Sequence, residues 1–131
     1  MKKTFFLIIS IGVLFLSACG SGGIKNIDKE EVDKMLSNGD GYLLIDFDND
    51  SKYLHDVKTV SEEKSIEVKS YDPHYADGKN KNKDGGRPIR PEKNVEVNAL
   101  YHIKDGEIKQ ELLLDYYVGT ERVKEIEKIL K

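Results

Sequence analysis

Cysteine is almost missing from this chain. Cys19 is the only one in 131 residues, so no internal disulfide can form and no dithiol can cycle. Tryptophan is absent, and Phe47 is the only phenylalanine after residue 15. Proline occurs three times, at positions 73, 88 and 91, and nowhere else. An excess of positive charge is missing too. The chain carries 21 Lys+Arg against 24 Asp+Glu, and after residue 18 the balance is 19 against 24. Neutralising a phosphate backbone needs a basic surface, so nucleic acid is excluded as the expected partner. Beyond the first 16 residues no apolar run is long enough to cross a bilayer.

One apolar run is present, at the amino terminus. Met1-Lys2-Lys3 is a basic start, and Phe5 to Leu16 follow as twelve apolar or small residues. That run is too short to span a bilayer as a helix and has the build of a signal-peptide core. It ends in Leu16-Ser17-Ala18-Cys19, which resembles the bacterial lipobox. The resemblance implies a diacylglyceryl group on the Cys19 sulfur, cleavage before Cys19, and a mature protein that begins at the lipidated cysteine. It also places the protein on the extracytoplasmic face of the cell membrane. Two acyl chains anchor stably where one does not. If lipidated, Cys19 leaves the mature chain without a thiol, which removes cysteine-dependent catalysis. Gly20 to Gly23 read as a flexible tether, about 14 Å long when extended. This brevity, with no Asp after Cys19, is compatible with a Gram-positive envelope.

The rest of the chain alternates strand and helix signals. Residues 24–27 suggest a first strand. Asp28 and Glu31 form an Asp-x-x-Glu start for a helix over 28–37, which Asn38-Gly39 stops. The run 42–47 is short, apolar and β-rich, so it predicts a buried strand. Residues 52–64 carry apolar positions at helical spacing, and 66–71 alternate with period two. Residues 72–94 contain all three prolines and no apolar period, and predict a long loop. Residues 95–104 and 107–114 predict a hairpin around Asp105-Gly106. Thr120 is the expected cap of a closing helix. The order β-α-β-α-β-loop-β-β-α predicts an α/β fold, a mixed sheet with helices on both faces.

That order is similar to the thioredoxin fold. Leu43 to Phe47 fall in the place of its central strand, and Leu100 to Ile108 in the place of its hairpin. The resemblance implies a thioredoxin-like domain over 24–131, after a signal peptide at 1–18 and a lipidated tether at 19–23. The departures are chemical. Lys52-Tyr53-Leu54-His55 stand where the family has Cys-x-x-Cys, and Asn98 stands near the place of its cis-proline. Asp46 alone matches the family's buried strand acid, and it has no thiol to serve. The scaffold is therefore expected without the activity, and no cofactor is implied.

Other groupings carry weak chemistry. Asp46, Asp48 and Asp50 are spaced like calcium ligands, but the sixth and twelfth positions are Ser51 and Val57. Asn80, Asn82 and Asp84 imitate the same start among three lysines, with Pro91 twelfth. The three histidines, His55, His74 and His102, have no metal-ligand spacing, so no metal set is expected. Ser51, His55 and Asp56 hold triad residue types without the elbow that exposes a nucleophile. The more suggestive group is Tyr71, Tyr75, Arg87 and Arg90, with His74 and Ile89 among them. Tyrosine and arginine are enriched at binding hot spots, and a scaffold presents its loops. Tyr116-Tyr117 form a second aromatic candidate.

The expectation is a non-catalytic, membrane-anchored lipoprotein. It would act by contact with the extracytoplasmic region of another envelope protein, as an accessory, exclusion or immunity factor of a transport or conjugation system. The alternatives are a vestigial thiol–disulfide oxidoreductase-like protein and a small metal- or solute-binding lipoprotein.

Overall fold

The computed structural model describes residues 22–47 and 51–131. The lipobox, Cys19, Asp48 and Asp50 lie outside the described residues. Five strands form one sheet: β1 (Gly23–Asn26), β2 (Gly41–Ile45), β3 (Glu67–Tyr71), β4 (Ala99–Lys104) and β5 (Glu107–Leu113). The helices are α1 (Lys29–Asn38), α2 (Lys52–Lys64), a single turn α3 (Lys83–Gly86) and α4 (Thr120–Ile129). A 3-10 turn, Leu114–Tyr116, follows β5. Among the described residues no helix is long and apolar enough to cross a membrane.

The sheet order is β1-β3-β2-β4-β5. β1 and β2 each run parallel to β3, β2 is antiparallel to β4, and β4 and β5 form an antiparallel hairpin. This mixed α/β sheet, flanked by helices, is compatible with a thioredoxin-like arrangement. Side-chain alternation along β2 divides the core. Leu43 and Ile45 face α1, where Val32, Met35, Leu36, Tyr101 and Ile103 bury with them. Leu44 faces the other way, onto Val57 and Val60 of α2 and Ile126 and Ile129 of α4. Period two in the strand and period 3.6 in the helices meet on both faces.

Local chemistry sets the element ends. Asp28 accepts from the Glu31 amide at 2.8 Å and starts α1. The Glu31 carboxylate reaches Lys69 on β3 at 3.4 Å, tying α1 to the sheet. Ser51 caps α2 by accepting from the Leu54 amide at 3.0 Å. The β-hairpin turns on Asp105 and Gly106, both left-handed (φ 53° and 76°), as a two-residue turn between twisted strands requires.

Several expectations are corrected. The fourth strand begins at Ala99 instead of residue 95, because Asn98 is left-handed (φ 57°) and breaks the extended run. Val95 and Val97 still bury, packing from the loop onto the α1-side core. α4 is preceded by Gly119, whose φ of 57° starts the helix without a side-chain cap, so Thr120 is its first residue. The domain also begins earlier than expected. Gly23 pairs with Glu67 in β1. Gly22 is wedged so tightly that a Cβ there would sit 2.4 Å from the Ser61 carbonyl oxygen. Two of the four expected tether residues are thus part of the fold.

Candidate functional site

In an open sheet with parallel strands, sites gather outside the carboxyl ends of those strands. Here that end carries Asp46-Phe47 after β2, Asp72 to Tyr75 after β3, the start of α2, and Asn98 before β4. Asp46 is buried; its amide donates to the Tyr71 carbonyl at 3.1 Å, and its carboxylate accepts from the Ser51 hydroxyl. Ser51 therefore links the end of β2 to the first turn of α2. Asp72 is buried as well and accepts from the His74 amide at 2.8 Å, with His74 Nδ1 at 3.4 Å from the same oxygen. The His74 ring lies 4.8 Å from that of Phe47, which joins the chain ends after β2 and β3.

The long loop after β3 is built rather than loose. Asn82 is its staple. The Asn82 side-chain amide donates to the carbonyls of Pro73 (2.6 Å) and Arg87 (2.7 Å), and its side-chain oxygen accepts from the Ala76 amide (2.8 Å). The Ile89 amide donates to Pro73 at 2.8 Å, and the Tyr71 hydroxyl donates to the Ile89 carbonyl at 2.6 Å. Asp84, Gly85 and Gly86 are all left-handed (φ 60°, 78° and 76°) and reverse the chain before Arg87. At 86 it is the left-handed φ that favours glycine, since a Cβ there would meet only the movable end of the Lys81 side chain. Burial pushes the Tyr71 hydroxyl up to about 12, with Asp33 and Asp72 adding to it. The loop then crosses to the α1 face, where Lys93 Nζ donates to the Leu36 carbonyl at 2.9 Å and the Gly106 carbonyl at 3.0 Å.

The four residues singled out in the loop region are therefore placed differently from one another. Arg87 and Arg90 are exposed, with Ile89, 43% exposed, between them. Tyr75 is half-buried and donates its amide to the Asp72 carbonyl at 2.8 Å. Tyr71 has no exposed surface; it belongs to the α1-side core and holds the loop from below. Tyr71 thus lies in the core, with its hydroxyl on the loop, and not at the surface with Arg87 and Arg90.

A second group lies at the same end, beside α4. The Tyr53 hydroxyl donates to Asp115 at 2.5 Å, and this bond is the main cause that raises the Tyr53 hydroxyl above its ordinary range. The guanidinium of Arg122 lies 5.0 Å from the Tyr53 ring centre. Arg122 is buried; its Nε donates to Asp56 at 2.7 Å and its Nη1 to the Tyr117 carbonyl at 2.9 Å. Sequence reasoning missed Arg122 because its charge suggests a solvent position, although its spacing of four from Ile126 and seven from Ile129 puts it on the buried face of α4. Tyr116 and Val118 project beside this group, each 77% exposed, while Tyr117 packs partly on the α2–α4 core.

The weaker groupings are not assembled. The Ser51 hydroxyl engages Asp46 and Asp56 engages Arg122, so Ser51, His55 and Asp56 are not linked in series. His102 stacks on Tyr42 at 4.8 Å, remote from His74 on Phe47. Among the described residues no group of three His, Cys, Asp or Glu side chains could hold a metal ion. No family model, curated protein or solved structure matches the chain.

Proposed function

We propose that this chain is a membrane-anchored lipoprotein that works by contact with another envelope protein. The observation that carries the reading is the segment Arg87–Arg90, held in place from the buried core by Tyr71 and from within the loop by Asn82, with its two arginines and Ile89 in solvent. Preorganisation lowers the ordering cost of binding. The lipobox supplies the address: lipid on Cys19 would hold the domain by its amino end. Gly22 and Gly23 sit at the amino ends of the parallel strands, whereas the loop rises from their carboxyl ends. With Gly22 docked, the free tether is shorter than four residues. The contact surface would then face away from the bilayer that holds the anchor. Accessory, exclusion and immunity roles in a transport or conjugation system all fit such a surface.

The test is photo-crosslinking on intact cells, with a photoreactive residue at position 88 or 116 and a Cys19→Ala control. One membrane-protein adduct that needs the anchor is the expected result. Labelling no stronger than at a buried position such as 44, with or without Cys19, would overturn the contact role.

A further inference from the structure

Charge is divided unevenly over the chain, and the division coincides with the stapled loop. Residues 79–90 hold Lys79, Lys81, Lys83, Arg87 and Arg90 against Asp84 alone. Over the rest of the chain after residue 18, acids outnumber cations by nine. All five loop cations are exposed. Elsewhere pairing is mixed: Lys29 pairs with Asp33, Lys58 with Glu62, Lys109 with Glu107 and Lys128 with Glu125, while Lys25, Lys52, Lys104 and Lys124 are single cations without an ion pair among the described residues. Among the described residues none of the five loop cations forms an ion pair.

The acids of α1 are near, since the Lys29 amide donates to the Ala76 carbonyl of the same loop at 2.8 Å. Yet none of the five cations pairs with an acid of α1 among the described residues. Asp77, which could have answered Lys79, instead accepts the Lys79 and Asn80 amides at 2.7 and 2.6 Å, and these bonds lower its carboxyl below the usual range. The loop is thus a cationic ridge on an acidic protein, with two exposed apolar residues, Pro88 and Ile89, between its two arginines.

From this we infer that the loop 79–90 receives an acidic polypeptide segment, its carboxylates meeting Arg87 and Arg90 and an apolar side chain of the segment meeting Ile89. The inference rests on the contact role proposed above and names the partner's chemistry. Arginine fits carboxylates with two parallel hydrogen bonds. The exposed isoleucine at the centre favours a protein segment over a purely anionic polymer or headgroup, which has no apolar group to offer it. The three exposed lysines add positive charge to the same loop and raise the encounter rate.

The test uses the full chain purified in non-ionic detergent. The probes are a labelled acidic peptide with a central leucine, its leucine-to-glycine counterpart, a basic peptide of equal length, and vesicles of phosphatidylglycerol. The acidic leucine peptide should bind best, and binding should weaken as salt rises. Arg87→Glu with Arg90→Glu should weaken it about tenfold or more, at an unchanged melting temperature because both side chains are exposed. Ile89→Ser should remove the preference for leucine over glycine. No binding of the acidic peptide, equal binding of the basic one, tighter binding of the vesicles, or an unaffected arginine double variant would each overturn the inference. The crosslinking separates this failure from that of the contact role. An anchor-dependent adduct that persists in the double variant keeps the contact and rejects the acidic partner; no adduct rejects both.

Discussion

The Tyr71 hydroxyl donates a 2.6 Å hydrogen bond to the carbonyl of Ile89, eighteen positions away. It joins the last residue of β3, in the core, to the exposed stretch Arg87–Arg90 of the long loop. The loop's conformation therefore depends on a side chain that no partner could touch. Tyr71→Phe keeps the ring and removes the bond. The expected loss is about 1 kcal/mol of stability, measured by denaturant unfolding. Hydrogen exchange should quicken at the Ile89 amide and stay unchanged in β2. Uniform quickening across the sheet would show that Tyr71 supports the core instead of the loop.

The same burial gives the fold an alkaline limit. The Tyr71 hydroxyl titrates at about 12 in the folded protein against 10.0 ordinarily, and Tyr101 is raised in the same direction, chiefly by burial. A raised acid pKa means that the folded state holds its proton where the unfolded state has lost it. Stability is therefore fully present below pH 10 and falls as pH rises toward 12 and beyond. Tyr71 alone accounts for about 2 kcal/mol of that fall. Thermal unfolding between pH 8 and 12 should show the decline, and Tyr71→Phe should flatten it.

Asp56 and Arg122 join α2 to α4 on the far side of the sheet from the loop's core contacts. Both are largely buried, and the bond is 2.7 Å. Asp56→Ala leaves a buried guanidinium with the Tyr117 carbonyl and the Tyr53 ring but no carboxylate, at an expected cost of about 2–3 kcal/mol. Replacing both, Asp56→Ala with Arg122→Met, should recover part of the loss, because the uncompensated charge is gone. A double-mutant cycle with no coupling between the two would contradict this role.

Two left-handed glycines separate backbone strain from close contact. Gly85 (φ 78°) has nothing within 4 Å of where a Cβ would lie. Gly106 (φ 76°) would place a Cβ 2.2 Å from the Ser37 carbonyl oxygen, where the hairpin tip docks on the end of α1. Gly85→Ala should therefore cost only the conformational term, about 1–2 kcal/mol. Gly106→Ala should cost clearly more, since the tip must also lift off α1. Equal melting temperatures would show that the hairpin tip is free to move.

Much of the architecture can be read from local residue patterns. The Asp28 cap, the 52–64 helix and the Asp105-Gly106 turn each follow from signals within a few positions, because caps and tight turns are made by neighbours in the chain. The continuous apolar run of β2 likewise required cover on both faces of the sheet before the sheet order was known. Contacts between distant positions could not be read this way. That Tyr71 supports the loop while Arg87 and Arg90 face solvent was decided by packing across eighteen residues of chain, and residue type alone treats the three alike. Gly22 looked like tether until the Ser61 carbonyl was found against it, and Arg122 looked like surface until Asp56 and Tyr117 enclosed it. The lysines and arginines of residues 79–90 were visible as composition. Their standing as an unpaired ridge came only from the tertiary structure, in which Asn82 and Tyr71 fasten the loop and none of the five cations pairs with an acid among the described residues.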